Sequence, residues 1–128
     1  MTLTHAESLA LTRRVIGLAI EVHRQLGPGL LESNYEACLC WELANAAIPF
    51  SRQPCLPVTY KGVHLGIYCR PDIIIGENLV VEIKAVEKLA DVHRAQVLSY
   101  MKHIDTKIGL LFNFNASVLK HGIIRVVR

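Results

Sequence analysis

The chain contains no apolar run near the length that spans a bilayer, and its N-terminus shows no basic segment leading into an apolar stretch and a cleavage site. No membrane association is expected, and the reading is of a cytoplasmic protein. No C-x-x-C pair occurs. The four cysteines stand at Cys38, Cys40, Cys55 and Cys69, which suggests neither a zinc cage nor a disulfide framework, so reduced and mostly buried thiols are expected. Low-complexity tracts and internal repeats are also missing, which excludes a disordered chain or a solenoid. There is no dense run of Lys and Arg to mark a groove-binding surface. The formal charge of +3 and a pI near 8.8 are compatible with a polyanionic partner without requiring one.

What remains is a chain of 128 residues, 52% apolar and 20% charged, which fits one domain spanning 1–128. Thr4 is followed three positions on by Glu7, a capping-box spacing, and Leu11, Val15, Leu18, Val22 and Leu26 then recur at helical intervals. A helix over 4–26 is expected, ended by Gly27, Pro28 and Gly29. A second helix, about 30–47, carries Leu31, Tyr35, Leu39 and Leu43 on one stripe and stops before Pro49. Beyond Phe50 short apolar runs separated by turn residues read as strands. The first ends near Tyr60 and is made irregular, or confined to an edge, by Pro54 and Pro57. A hairpin turning on Gly76, Glu77 and Asn78 follows, then a helix over about 88–103, then strands over 108–114 and 123–127. The predicted order is helix, helix, three strands, helix and two strands, an α/β arrangement about one mixed sheet.

If the turn is the three residues 76–78, Ile75 pairs with Leu79, and counting back sets Asp72 directly opposite Glu82. Opposed residues of an antiparallel pair have β-carbons about 4.5–5.5 Å apart on one face. Two carboxylates would then sit side by side. Lys84 shares that face, while Leu79, Val81, Ile83 and Ala85 take the other, towards the core. Such a pair is unfavourable unless a cation or a shared proton relieves it, and hard divalent ions prefer oxygen ligands of this kind. The alternative is an exposed sheet edge on which Asp72 pairs with Arg70 or Lys84 and Glu82 is solvated.

Pro71-Asp72, nine intervening residues and then Glu82-Ile83-Lys84 resemble the signature of the PD-(D/E)XK, or restriction-endonuclease-like, superfamily. Gly29-Leu30-Leu31-Glu32-Ser33-Asn34-Tyr35 matches the pattern that names the GxxExxY protein family, and Gln96-Val97-Leu98-Ser99-Tyr100 resembles the QxxxY motif of RecB-like and Cas4-like nucleases. The likeness to GxxExxY proteins also takes in 56–62 and 109–114. The resemblance implies a restriction-endonuclease-like mixed sheet flanked by helices, with a metal site on the central hairpin. It further implies Mg2+, with Mn2+ as a substitute, held by Glu32, Asp72, Glu82 and the Ile83 carbonyl. Lys84 would orient or activate the attacking water, and Gln96 and Tyr100 would line the site or contact a nucleic-acid strand.

The function so implied is Mg2+-dependent hydrolysis of phosphodiester bonds in DNA or RNA. Two alternatives stand beside it: a non-catalytic nucleic-acid-binding or accessory module, and a hydrolase acting on a small phosphorylated metabolite. A homodimer suits so small a nuclease, although no residue pattern encodes one. His93, on the same helical face as Gln96, is read as a solvated or hydrogen-bonded residue and left out of the metal set.

Overall fold

The computed structural model describes residues 2–128. Helix α1 (His5–Leu26) begins at the predicted cap: Thr4 Oγ1 accepts from the Glu7 amide, and Glu7 Oε1 accepts in return from the Thr4 amide, both at 3.1 Å. Its stripe of Val15, Ala19 and Val22 is buried. Helix α2 (Glu32–Asn45) packs against α1 and buries Tyr35, Leu39 and Leu43. It starts two residues later than the spacing predicts, because Gly29 has a φ of +105° and the chain is still turning there.

Seven strands follow: β1 (Phe50–Arg52), β2 (Leu56–Tyr60), β3 (Val63–Cys69), β4 (Ile73–Ile75), β5 (Leu79–Lys84), β6 (Ile108–Asn113) and β7 (Ile123–Val127), with α3 (Asp91–Ile104) between β5 and β6. Five of them form one mixed sheet in the order β1-β4-β5-β6-β7. Only β5 and β6 run parallel, joined across the sheet face by α3. Apolar residues on alternate positions feed two cores. Ile73, Ile75, Leu79, Val81 and Ile83 meet α1 and α2, whereas Val80, Leu111 and Val126 meet Val97 and Met101 of α3. The sheet is therefore covered on both faces by helices, and its central strand is buried from Leu79 to Ile83, Glu82 included.

The expected number of strands before α3 was too small. The segment 50–60 divides at Pro54 into β1, at the edge of the main sheet, and β2, which pairs with β3 in a separate two-stranded ribbon. The β2–β3 turn has positive φ at both central residues, Lys61 (+50°) and Gly62 (+77°), the geometry of a two-residue hairpin turn. Lys-Gly is a weaker signal for that turn than Asn-Gly. Gly66 (φ +74°) and the register shift at Val58 and Thr59 further blur the alternation of β3. The thiols also depart from expectation. All four cysteines are free, but only Cys40 is buried, and Cys55 is exposed. No described helix is long and apolar enough to cross a membrane.

Helix α3 approaches β6 closely because residue 109 is glycine: a β-carbon there would meet Val97 Cγ1 at 2.6 Å and Met101 Sδ at 2.8 Å. That approach seats Val97 and Met101 of α3 against the start of β6. In open α/β sheets ligands bind at the carboxyl ends of parallel strands, which here are Lys84 of β5 and Asn113 of β6.

Candidate active site

The β4–β5 register is the one that counting from the turn predicts. Ile73 pairs with Val81, Ile74 with Val80 and Ile75 with Leu79, so Asp72 stands one step beyond β4, opposite Glu82. The two residues are cross-tied. The Asp72 amide donates to Glu82 Oε1 at 2.7 Å, and the Ile83 amide donates to Asp72 Oδ2 at 2.8 Å. Each carboxylate thus spends one oxygen on the backbone of the other strand. Asp72 Oδ1 and Glu82 Oε2 accept no hydrogen bond from the described residues.

Glu82 is only 3% exposed, on a strand flanked on both sides, which rules out the alternative of a solvated edge. Burial pushes its carboxyl up to about 7, and the charge of Asp72 adds to the shift; the Asp72 amide and Lys84 oppose it. Asp72 rises to about 6, first through burial, with Glu36 and Glu32 adding repulsion against the opposing Ile83 amide and Lys84. The pair therefore repels itself, and one cation does not cancel that repulsion. The Lys84 ammonium lies 3.8 Å from Glu82 Oε2 and is 17% exposed, so it faces the carboxylates and still reaches solvent.

The Lys84 carbonyl accepts from the Phe114 amide at 2.8 Å, which turns Lys84's backbone towards β6. Ile83, one residue earlier, directs its N–H and carbonyl to the other side, where the N–H meets Asp72. The Ile83 carbonyl is thus on the carboxylates' side. Beside Lys84, the Asn113 side chain accepts from the Val86 amide (3.1 Å) and donates to its carbonyl (2.9 Å), fixing the exit of β5.

Glu32 opens α2, is exposed, and accepts from the Ala85 amide at 3.3 Å. It lies close enough to raise both acidic groups, yet among the described residues no three Asp, Glu, His or Cys side chains form a metal-holding group. The donors brought together are two carboxylates and a carbonyl. Magnesium is commonly held by one or two carboxylates with several waters retained, so this hard-oxygen set fits it.

Gln96 and Tyr100 are joined, Gln96 Nε2 donating to the Tyr100 hydroxyl at 3.0 Å. Burial raises the Tyr100 hydroxyl's pKa and the charge of Glu82 adds to it. His93 caps its own helix, its Nδ1 accepting from the Ala90 amide at 2.9 Å. Tyr35 is fully buried and stacked on Phe114 at 4.5 Å; its hydroxyl donates to the Gly27 carbonyl at 2.6 Å and accepts from the Leu30 amide at 3.0 Å. The tyrosine of the Gly29–Tyr35 motif therefore braces the turn that delivers Glu32.

Sequence reasoning missed Glu36, Arg52 and Gln53. Glu36 is 3% exposed, and its Oε2 accepts from Arg52 Nε at 2.7 Å and Gln53 Nε2 at 2.9 Å. The available signal was an acid among Tyr35, Leu39 and Leu43, on the buried stripe of α2. Two clefts, of about 930 Å³ and about 510 Å³, lie at the opposite end of the sheet around Gly76, Glu77 and Asn78, away from this chemistry.

A mixed sheet sandwiched between helices, with a buried carboxylate pair and a lysine on its central hairpin, defines a restriction-endonuclease-like domain. The chain belongs to the PD-(D/E)XK nuclease superfamily, whose family model matches residues 9–126. No curated protein and no solved structure matches it.

Proposed function

We propose that this protein is a divalent-metal-dependent nuclease that hydrolyses phosphodiester bonds of DNA or RNA at the site built on Asp72, Glu82 and Lys84. The observation that carries the reading is the cross-tied carboxylate pair, buried and raised in pKa, with one oxygen of each member accepting no hydrogen bond from the described residues and Lys84 alongside. Asp72 Oδ1, Glu82 Oε2 and the Ile83 carbonyl would hold Mg2+ or Mn2+, with Glu32 joining or supporting them. The bound ion would supply positive charge to the phosphoryl oxygens and ease deprotonation of an attacking water.

The chain's own residues do the rest. The two backbone amides fix the carboxylates before substrate arrives, so little reorganisation is needed during reaction. Lys84, 3.8 Å from Glu82 Oε2, orients the water and stabilises charge growing at phosphorus. Gln96 and Tyr100, hydrogen-bonded to each other, contact the strand being cut. The Gly29–Tyr35 motif, with the stretches 56–62 and 109–114, supports placement in the GxxExxY branch of the superfamily.

The test is to incubate purified protein with single- and double-stranded DNA and RNA, with Mg2+, with Mn2+ and with chelator. Metal-dependent cleavage that falls at least about 100-fold in Glu82→Ala and Lys84→Ala is expected. Cleavage at an undiminished rate in either variant would sink the assignment. Screening nucleotides beside the polymers separates a nuclease from a small-phosphate hydrolase, and sedimentation of the same preparation tests the homodimer.

A further inference from the structure

Arg52 and Gln53 lie on the far side of Asp72 from Glu82. Arg52 pairs with Ile73, and the Gln53 amide donates to the Asp72 carbonyl at 2.7 Å, carrying the β1–β4 pairing one residue past the strands. Gln53, Asp72 and Glu82 are thus consecutive across the sheet. Gln53 takes a left-handed backbone, φ +48°, uncommon for a residue with a β-carbon. Such outliers persist where surrounding structure insists on them, often at binding sites. Here the restraints are the Asp72 carbonyl and the buried Glu36 carboxylate.

Glu36 grips Arg52 through Nε alone, at 2.7 Å. The two terminal nitrogens of the guanidinium make no hydrogen bond to the described residues, and the Arg52 side chain is 43% exposed. A buried carboxylate with one arginine is a weak stabilising device, since apolar side chains of similar volume often do as well or better. It is a strong orienting device. With Nε committed inward, the outer edge of the planar fork faces solvent as a two-pronged donor, the shape that matches a phosphate. Charge favours the same ligand. Between Glu42 and Asp72 the sequence has no carboxylate, and its charged residues are Arg52, Lys61 and Arg70.

We propose that Arg52 binds a phosphate of the nucleic-acid strand next to the phosphodiester that is cut, with Glu36 as the residue that positions it. The proposal rests on the nuclease reading of the adjoining carboxylates. A pure brace between α2 and β1 would also pair these residues, but it would leave substrate affinity unchanged when the pair is altered.

The experiment uses the full chain as wild type, Arg52→Ala, Arg52→Lys and Glu36→Gln, with a fluorescein-labelled oligonucleotide of a kind the wild type cuts. Binding is followed against salt in Ca2+, and cleavage in Mg2+. In Arg52→Ala, Kd and KM are expected to rise about tenfold with kcat little changed, and the salt slope of binding to fall by about one. Arg52→Lys recovers only part, because an ammonium lacks the fork. Glu36→Gln lies between, with its salt slope intact. An oligonucleotide carrying a neutral methylphosphonate beside the cut position binds the wild type more weakly, but shows no further loss with Arg52→Ala. Unchanged Kd and KM in Arg52→Ala, with or without a lower melting temperature, overturn the proposal alone. A wild type that neither binds nor cuts any nucleic acid overturns the nuclease reading, and this proposal with it.

Discussion

Asp72 and Glu82 hold each other through their backbones: the Asp72 amide donates to Glu82 Oε1 at 2.7 Å, while Asp72 Oδ2 accepts from the Ile83 amide, next to Glu82, at 2.8 Å. Both carboxyls are nevertheless raised, to about 6 and about 7, because burial, with repulsion from Asp72 on Glu82 and from Glu36 and Glu32 on Asp72, outweighs those bonds. The site is strained in charge rather than in backbone. Its relief comes from protons or from a cation.

Protons relieve it first. Ordinary carboxyls titrate near about 4, so between there and about 7 the folded, metal-free protein holds more protons than the unfolded chain. Stability must therefore fall as pH rises through that window and level off above it. Melting temperatures in chelator should decline across it, and Glu82→Gln should flatten much of the decline. The variant should also gain on the order of 1–2 kcal/mol over wild type at alkaline pH. A wild-type slope of opposite sign, or one the substitution leaves alone, would refute this account.

A cation offers the second relief, and it competes with the protons. Mg2+ or Mn2+ is expected to raise the melting temperature by several degrees at pH about 8 and by little at pH about 5, where the carboxyls are protonated. Asp72→Asn should abolish the metal increment while folding normally in chelator. An increment that is independent of pH, or retained in that variant, would show that metal binds elsewhere.

Lys84 is 3.8 Å from Glu82 and partly exposed, so removing it opens no large cavity. In Lys84→Ala turnover should drop by about 10²–10³-fold, the loss typical of a charge aimed at a developing oxyanion. Affinity for the oligonucleotide and the melting temperature should change little. A loss confined to binding would reassign Lys84 to backbone contact.

Much of this was legible in sequence because it depends on counting. The three-residue turn at 76–78 set the register that places Asp72 against Glu82, and helical spacing put Gln96 beside Tyr100. What escaped depends on the third dimension. Glu36 looks like one more polar residue until β1 delivers Arg52 and Gln53 to it from 16 and 17 positions away. The β2–β3 ribbon escaped because its turn uses Lys61 in a conformation that asparagine signals better. Glu82 was not known to be buried on both counts of strand order and helix cover, since alternation says which face a residue takes but not what covers that face.

The tyrosine of the Gly29–Tyr35 motif supplies a last prediction, because a motif residue is easily mistaken for a substrate contact. Its ring is fully buried against Phe114, and its hydroxyl joins the Gly27 carbonyl to the Leu30 amide just before α2 begins. Tyr35→Phe keeps the ring and strips both backbone groups of their partner, which should lower stability by about 1–3 kcal/mol. The turn that delivers Glu32 then loosens, so Glu32's 3.3 Å contact with the Ala85 amide weakens and activity falls as a secondary effect. Glu32→Gln should show the converse, reduced metal-dependent activity with nearly unchanged stability. Denaturant melts and initial rates on both variants separate the two roles. A Tyr35→Phe protein that melts like wild type yet has a raised KM would mean that the hydroxyl reaches substrate after all, which its burial argues against.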